Sequence, residues 1–155
     1  TLPPALPAPG LWRRMACWCY EGMLLFAKVQ PQVVYVNHRG DNHQDHRAVF
    51  QAAMVVVRPA ATPQLMRLLS YETPASTDQA PPIPEAAFLP NYYVNISSVL
   101  EKKLSAFRCY EPERRAPPHP RSEEAGSVLA RRRGVEAGYQ AAEAFMILRD
   151  KWDDV

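Results

Sequence analysis

The segment NHRGDNHQDH, residues 37–46, places His38, Asp41, His43, Asp45 and His46 within nine positions. Imidazoles and carboxylates together can ligate zinc and carry protons near neutral pH. His43 and His46 are three residues apart, with Asp45 between them. A helix starting near Asp45 would hold His46 in its first turn and leave His43 in the preceding loop. That division suits two tasks, one imidazole on a metal and the other facing a substrate. Catalytic zinc normally takes three protein ligands and a water. This loop supplies one ligand comfortably and two at most, so its composition does not complete a site. The competing reading is a polar loop containing these residues by chance. The cluster alone favours neither reading, and His38 reads as a structural histidine.

The elements around the loop set its position. Val33–Val36 is a compact β-branched run of the kind that forms a buried parallel strand. Sites in open α/β sheets form at the carboxyl ends of such strands. Arg47–Arg58 follows as a helix with Val49, Ala52, Ala53, Val56 and Val57 on one face, and Asp45 is placed to cap it. Leu65–Tyr71 reads as a second strand and Thr73–Pro90 as a long proline-rich loop, functional or mobile. Tyr92–Ile96 is a third strand. Ser98 with Glu101 makes a capping box for a helix running to Cys109. After a loop over Pro112–Pro120, Ser122 with Glu123 and Glu124 starts a helix ending near Gly138. Glu143–Leu148 closes the pattern as a helix end or a last strand. Upstream, residues 1–10 form a proline-rich leader. Residues 11–29 have helical spacing at Trp12, Met15, Cys19, Met23 and Phe26, weakened by Gly22. The alternation is that of an α/β domain.

Composition narrows the function classes. With 155 residues, 47% of them hydrophobic and 22% charged, the chain suits one domain. Sixteen prolines punctuate loops. A net charge of +2 with one short basic run, Arg131–Arg133, argues against nucleic-acid binding, and that run reads as a solvated helix face. Cys17, Cys19 and Cys109 form no CxxC pair and read as free thiols. No apolar run reaches the roughly 18 residues of a membrane span. Arg13 and Arg14 before Met15 imitate a signal peptide weakly, but Glu21 and Lys28 interrupt the apolar stretch. A cytoplasmic location is expected.

The stretch PQVVYVNHRGDNHQDHRAVFQAA resembles the strand, His-x-Asp-His motif and helix of PIG-L/LmbE-like N-deacetylases. The resemblance continues through LLSYET, PNYYVNISSVLEKKLSAFRCYEPE and PHPRSEEAGSVLARRRGVEAGYQAAEAF, covering about residues 30–150. It implies a Rossmann-like three-layer α/β fold, a parallel sheet with helices on both sides. It also implies a zinc-dependent hydrolase removing an acetyl group from an N-acetylglucosamine-type sugar or glycoconjugate, with room for a homo-oligomer. By resemblance, His46 is a zinc ligand, His43 the general acid or oxyanion-stabilising histidine, and Asp45 the carboxylate that orients a histidine. Tyr71 and Glu72 end a strand on the metal-loop side and are candidates to line the pocket. The bland reading makes them a buried tyrosine and a solvated glutamate. His119 and Arg121 are candidates for substrate or subunit contact, against simple loop packing. Glu143 is expected to pair a buried cation such as Arg121.

One departure matters. The family's first strand ends in a His-Pro-Asp-Asp-Glu motif, which supplies two further zinc ligands and the general base, and this sequence has none. Residues 1–29 look like an atypical leader outside the fold, and residues 151–155 like a tail. The resemblance then implies a domain incomplete at its N-terminus, with an unpaired sheet edge and an uncovered apolar face. Weak zinc affinity and little turnover are expected of this chain alone. The alternative is a non-catalytic remnant that binds a sugar or a partner.

Overall fold

A computed structural model describes residues 11–152, with side chains from Cys19 onward. The leader over residues 1–10, the side chain of Cys17 and residues 153–155 lie outside that description. The elements run α1 (Leu11–Val29), β1 (Val33–Asn37), α2 (Gln44–Val56), β2 (Arg67–Tyr71), β3 (Tyr92–Asn95), α3 (Leu100–Arg108), α4 (Glu123–Ala137) and β4 (Ala142–Asp150).

The sheet order is β1-β2-β4-β3. β1 pairs with β2 in parallel, joined through α2 as a βαβ unit, and β4 is antiparallel to both β2 and β3. β1, β2 and β3 therefore point the same way, with β4 inserted antiparallel between the last two. The α/β class is as expected, but the sheet is mixed and not wholly parallel. The cause is the chain reversal after α4. Gly138 closes that helix in the left-handed region at φ 75°, and the chain returns directly as a strand. The segment over 143–148, open to either reading in the sequence, is this strand.

Alternation in β1 and β2 separates two layers of helix. Val34, Val36 and Leu68 face α1 and α2, where Val57, Leu65, Phe26, Phe50 and Met54 complete a core. On the other side Ile96, Ala130, Ala141 and Leu100 pack beneath α3 and α4. The helix read over 11–29 is present as α1, and Phe26 joins the first core, so this part of the expected leader belongs to the fold. Gly22 has a positive role here. A Cβ at that position would lie 3.1 Å from Val56 Cγ2, so glycine lets α1 approach α2 closely.

β1 is an edge strand, and Val33 and Tyr35 on it are exposed. Tyr20, Leu24 and Leu25 are exposed on α1, interleaved with exposed Glu21 and Lys28. No helix among the described residues is long and apolar enough to cross a membrane. Two local expectations fail. α3 starts after Val99 with no side-chain cap, because Ser97, not Ser98, makes the local turn with Asn95 Oδ1. Glu143 pairs with Lys103, whereas Arg121 pairs with Glu113.

Candidate functional site

The histidine-rich loop leaves the carboxyl end of β1 and enters α2. Asn37, the last residue of β1, donates from its side chain to the His46 carbonyl at 2.6 Å, tying the strand tip to the helix's first turn. His43 occupies the N-cap in an extended conformation, and its Nδ1 accepts from the Asp45 backbone N–H at 3.2 Å. Thus the cap is His43, not Asp45, which lies in the first turn, where a carboxylate is favoured by the helix dipole.

The carboxylate beside His46 comes from the loop, not from Asp45, which was expected to orient a histidine. His46 Nδ1 lies 2.7 Å from Asp41 Oδ2, and Asp41 is fully buried. Its other oxygen accepts from Thr77 Oγ1, which itself accepts from the Thr73 backbone N–H at 2.7 Å. The orienting carboxylate is Asp41, not Asp45. Asp41 sits in the same loop, but no helical spacing singled it out.

These bonds decide the tautomers of the two rings. A carboxylate only accepts, so the neutral form of the His46 ring placed this way has its proton on Nδ1 and its lone pair on Nε2. His43 accepts at Nδ1, so its neutral ring presents Nε2–H. The rings stack with centroids 4.7 Å apart and 27° between planes. One is thereby arranged as an acceptor or ligand and the other as a hydrogen-bond donor.

Two adjoining cavities meet here. A polar cleft of about 670 Å³ is lined by His43, Asp45, His119 and Arg121, among others. A larger, mainly apolar cavity of about 860 Å³ takes in His46, Tyr71, Glu72 and Arg121 together with Tyr35, Leu104, Phe107 and Phe145. All seven residues singled out from the sequence line one or the other, and Arg121 lines both. Burial, and then the nearby Asp41, push the Tyr71 phenol above its usual range, so it stays protonated as a donor at neutral pH.

Glu72 is neither solvated nor free for substrate. Arg133 reaches it with two nitrogens, at 2.8 and 2.6 Å, and reaches Glu136 at 2.9 Å. The guanidinium also lies 5.6 Å from the Phe88 ring centre. Its bond to Glu72 is the main cause of a raised pKa, against desolvation. Arg133 therefore belongs to the interior, not to the solvated face expected of Arg131–Arg133. Sequence could have flagged it only through the helical turn that points adjacent residues in different directions, a signal that charge counting ignores.

His38 is the structural residue it was read to be. It is buried, its Nε2 lies 3.0 Å from the Ala86 carbonyl, and its ring meets Phe88 edge-on. With Asn42 N–H donating to the Ser76 carbonyl, it fastens the loop over 73–90 against the histidine loop. Gly40 permits that closeness. A Cβ there would fall 2.5 Å from the Ala86 carbonyl oxygen and 2.6 Å from His38 Nε2. Gly40→Ala is expected to destabilise by about 2 kcal/mol, the usual scale of overpacking. The effect would appear as a lower melting temperature and faster proteolysis within 73–90. An unchanged melting temperature would mean that this loop is not held as described.

Zinc was expected here. Among the described residues there is no group of three or more His, Cys, Asp or Glu side chains placed to hold a metal ion. His46 Nε2 offers a single nitrogen, while the carboxyl of Asp41 is engaged by His46 and Thr77. The described residues do not by themselves make a zinc site.

No family model matches the chain. A segment of 43 residues, 28% of this chain, is 51% identical to the Escherichia coli (strain K12) protein named "Uncharacterized deacetylase YaiS". That segment spans 20% of the relative's length. Among solved structures, the crystal structure of the conserved protein TT1542 from Thermus thermophilus superposes with a TM-score of 0.66 at 22% identity. The superposition covers 89% of this chain and 63% of that one, and it establishes the α/β fold.

Proposed function

We propose that this chain carries part of the apparatus of a deacetylase, an amide hydrolase acting on an N-acetylated amino sugar or its conjugate. The observation that carries the reading is the stacked His43–His46 pair at the carboxyl end of β1, with His43 Nδ1 on a backbone N–H and His46 Nδ1 on the Asp41 carboxylate. The deacetylase name on the short relative supports the same class. The PIG-L/LmbE assignment and the N-acetylglucosamine-type substrate belong to the proposal.

Amide cleavage needs donors for the developing oxyanion and a proton for the leaving amine. The Nε2–H of neutral His43 is suited to the oxyanion, while its Nδ1 stays occupied by the Asp45 backbone N–H. Tyr71, kept as a phenol, is a second donor lining the same cavity as His46. Zinc, where bound, would supply a Lewis acid. His46 would be its one ligand among the described residues, and a catalytic site needs others. Asp45 enters the proposal through its backbone N–H, which holds His43 Nδ1.

The test uses the chain with N-acetylglucosamine, with and without added zinc. Saturation-transfer NMR is expected to detect binding of the sugar through its acetyl methyl. That signal should fall at least severalfold in His43→Ala and His46→Ala. Turnover should remain at background. Loss of the acetyl signal in the wild type would sink the reading. Robust zinc-dependent turnover would instead overturn the incomplete-site view. A second reading, a sugar-binding module without turnover, is favoured by the missing metal-ligand group among the described residues. It predicts the same binding but no hydrolysis under any metal.

A further inference from the structure

The two cavities meet at the stacked histidines and differ in character. His43 lines the polar cleft, His46 lines the apolar cavity, and their rings are 4.7 Å apart. An amide lying across the pair therefore extends one end into each compartment. The apolar cavity, of about 860 Å³, is of the size that encloses a whole small ligand, roughly 300–1,000 Å³. The methyl of an acetyl group, a single carbon, leaves nearly all of it empty.

We propose that this cavity receives an N-acyl chain longer than acetyl, so that the substrate class is an amino sugar carrying a hydrocarbon acyl group on its nitrogen. The proposal rests on the deacetylase reading and deepens it. The acyl chain is bonded to the reacting carbon itself, so it enters the cavity wherever that carbon lies beside His46. An apolar aglycone is bonded on the sugar side, which the polar cleft takes up.

The charges around the cavity favour hydrocarbon over any polar tail. Besides His46, six charged side chains line it, and each is matched by one of opposite sign. Lys103 pairs with Glu143 at 2.7 Å, Arg133 with Glu72 at 2.6 Å, and Arg121 with Glu113. A charged ligand would have to break one of these pairs, whereas a hydrocarbon displaces only water. Between the pairs the wall is aliphatic and aromatic. Leu104, Phe107 and Leu129 come from α3 and α4, and Phe145 comes from β4 with its ring 5.4 Å from that of Tyr35. Gly126 of α4 widens the space. A Cβ there would meet only Leu104 Cδ2, at 3.9 Å, so the wall is open at that point.

The experiment compares three ligands on the intact chain by calorimetric titration. They are N-acetylglucosamine, N-hexanoylglucosamine and the hexyl glycoside of N-acetylglucosamine. N-hexanoylglucosamine should bind at least about tenfold more tightly than N-acetylglucosamine, since each of its four added methylenes contributes about threefold to fourfold when fully buried. Nuclear Overhauser contacts should join its terminal methyl to the rings of Phe107 and Phe145. Gly126→Leu, which fills the open wall, should remove most of the preference while N-acetylglucosamine binds as before. Tyr110→Asp, at a position 64% exposed on the cavity's lining where folding is not at stake, should weaken the preference severalfold. Equal binding of the acetyl and hexanoyl sugars overturns the proposal, as does a full preference retained in both variants. An equal gain from the hexyl glycoside overturns it too, since the cavity would then accept any apolar tail. The underlying deacetylase reading fails differently. In that case the methyl contacts persist, and His43→Ala and His46→Ala leave the binding of both acyl sugars unchanged.

Discussion

Arg133→Met is expected to lower stability by about 3 kcal/mol, the scale on which removing one member of a buried ion pair acts. Arg133 is 8% exposed and is the common partner of Glu72 and Glu136. Its side chain and that of Glu72 are only 10% and 16% exposed, so water compensates little when the cation goes. Methionine fills part of the space but leaves two carboxylates facing each other. Glu72→Gln alone should cost less, since an amide can still accept from the guanidinium. In the Arg133→Met background, Glu72→Gln should recover part of the loss, because it removes a charge that has become unpaired. A double-mutant cycle measures that coupling directly. Urea denaturation with an unchanged slope is the appropriate readout, because only then is the midpoint a stability. Additive effects of the two substitutions would remove the ion pair from the account of how β2 ends beside the site.

Asp41→Ala is expected to disorganise the histidine pair while costing about 2 kcal/mol, the range for leaving buried hydrogen-bonding groups unsatisfied. Two donors lose their acceptor, His46 Nδ1–H and Thr77 Oγ1–H. The specific consequence is at His46, which no longer has a reason to keep its proton on Nδ1. Long-range proton–nitrogen NMR should show one tautomer in the wild type and a mixture in the variant. Divalent-metal affinity at His46, in any assembly that completes the site, should fall by about tenfold to a hundredfold, as when a carboxylate behind a ligating histidine is lost. Asp45→Ala should leave the His46 tautomer untouched, since Asp45 makes its bond to His43 through the backbone. A single Nδ1–H tautomer persisting in Asp41→Ala would show that the carboxyl does not orient this ring.

Local patterns were legible in the sequence wherever one side chain or one period carries the information. The strand over Val33–Val36, the helix α2, the Ser122 cap and the Gly138 stop appear where their chemistry places them, but β1 is an edge strand with Val33 and Tyr35 exposed, and Val49, read into the apolar face of α2, is exposed too. The position of the histidine loop was legible for the same reason, since a polar loop after a strand opens at the sheet's carboxyl end. Partnerships were not legible. Asp41 and Asp45 are equivalent as letters, and only the path of the loop decides which carboxyl reaches His46. Arg133 reads as one of three adjacent arginines. Its interior position depends on Glu72, 61 residues away, arriving at the end of β2.

The sequence by itself determined the α/β class, the order of the elements from β1 to α4 and the loop on which the imidazoles stand. These follow from periodicity and capping, which act over a few residues. Only the tertiary structure decided that β4 inserts antiparallel between β2 and β3, and that Asp41 turns one ring while the helix end turns the other. It alone brought Arg115 and Arg121, from a distant loop, into one cleft with His43. Such features depend on which segments share a surface after burial, and hydrogen bonds between partners far apart in the chain have no period to read.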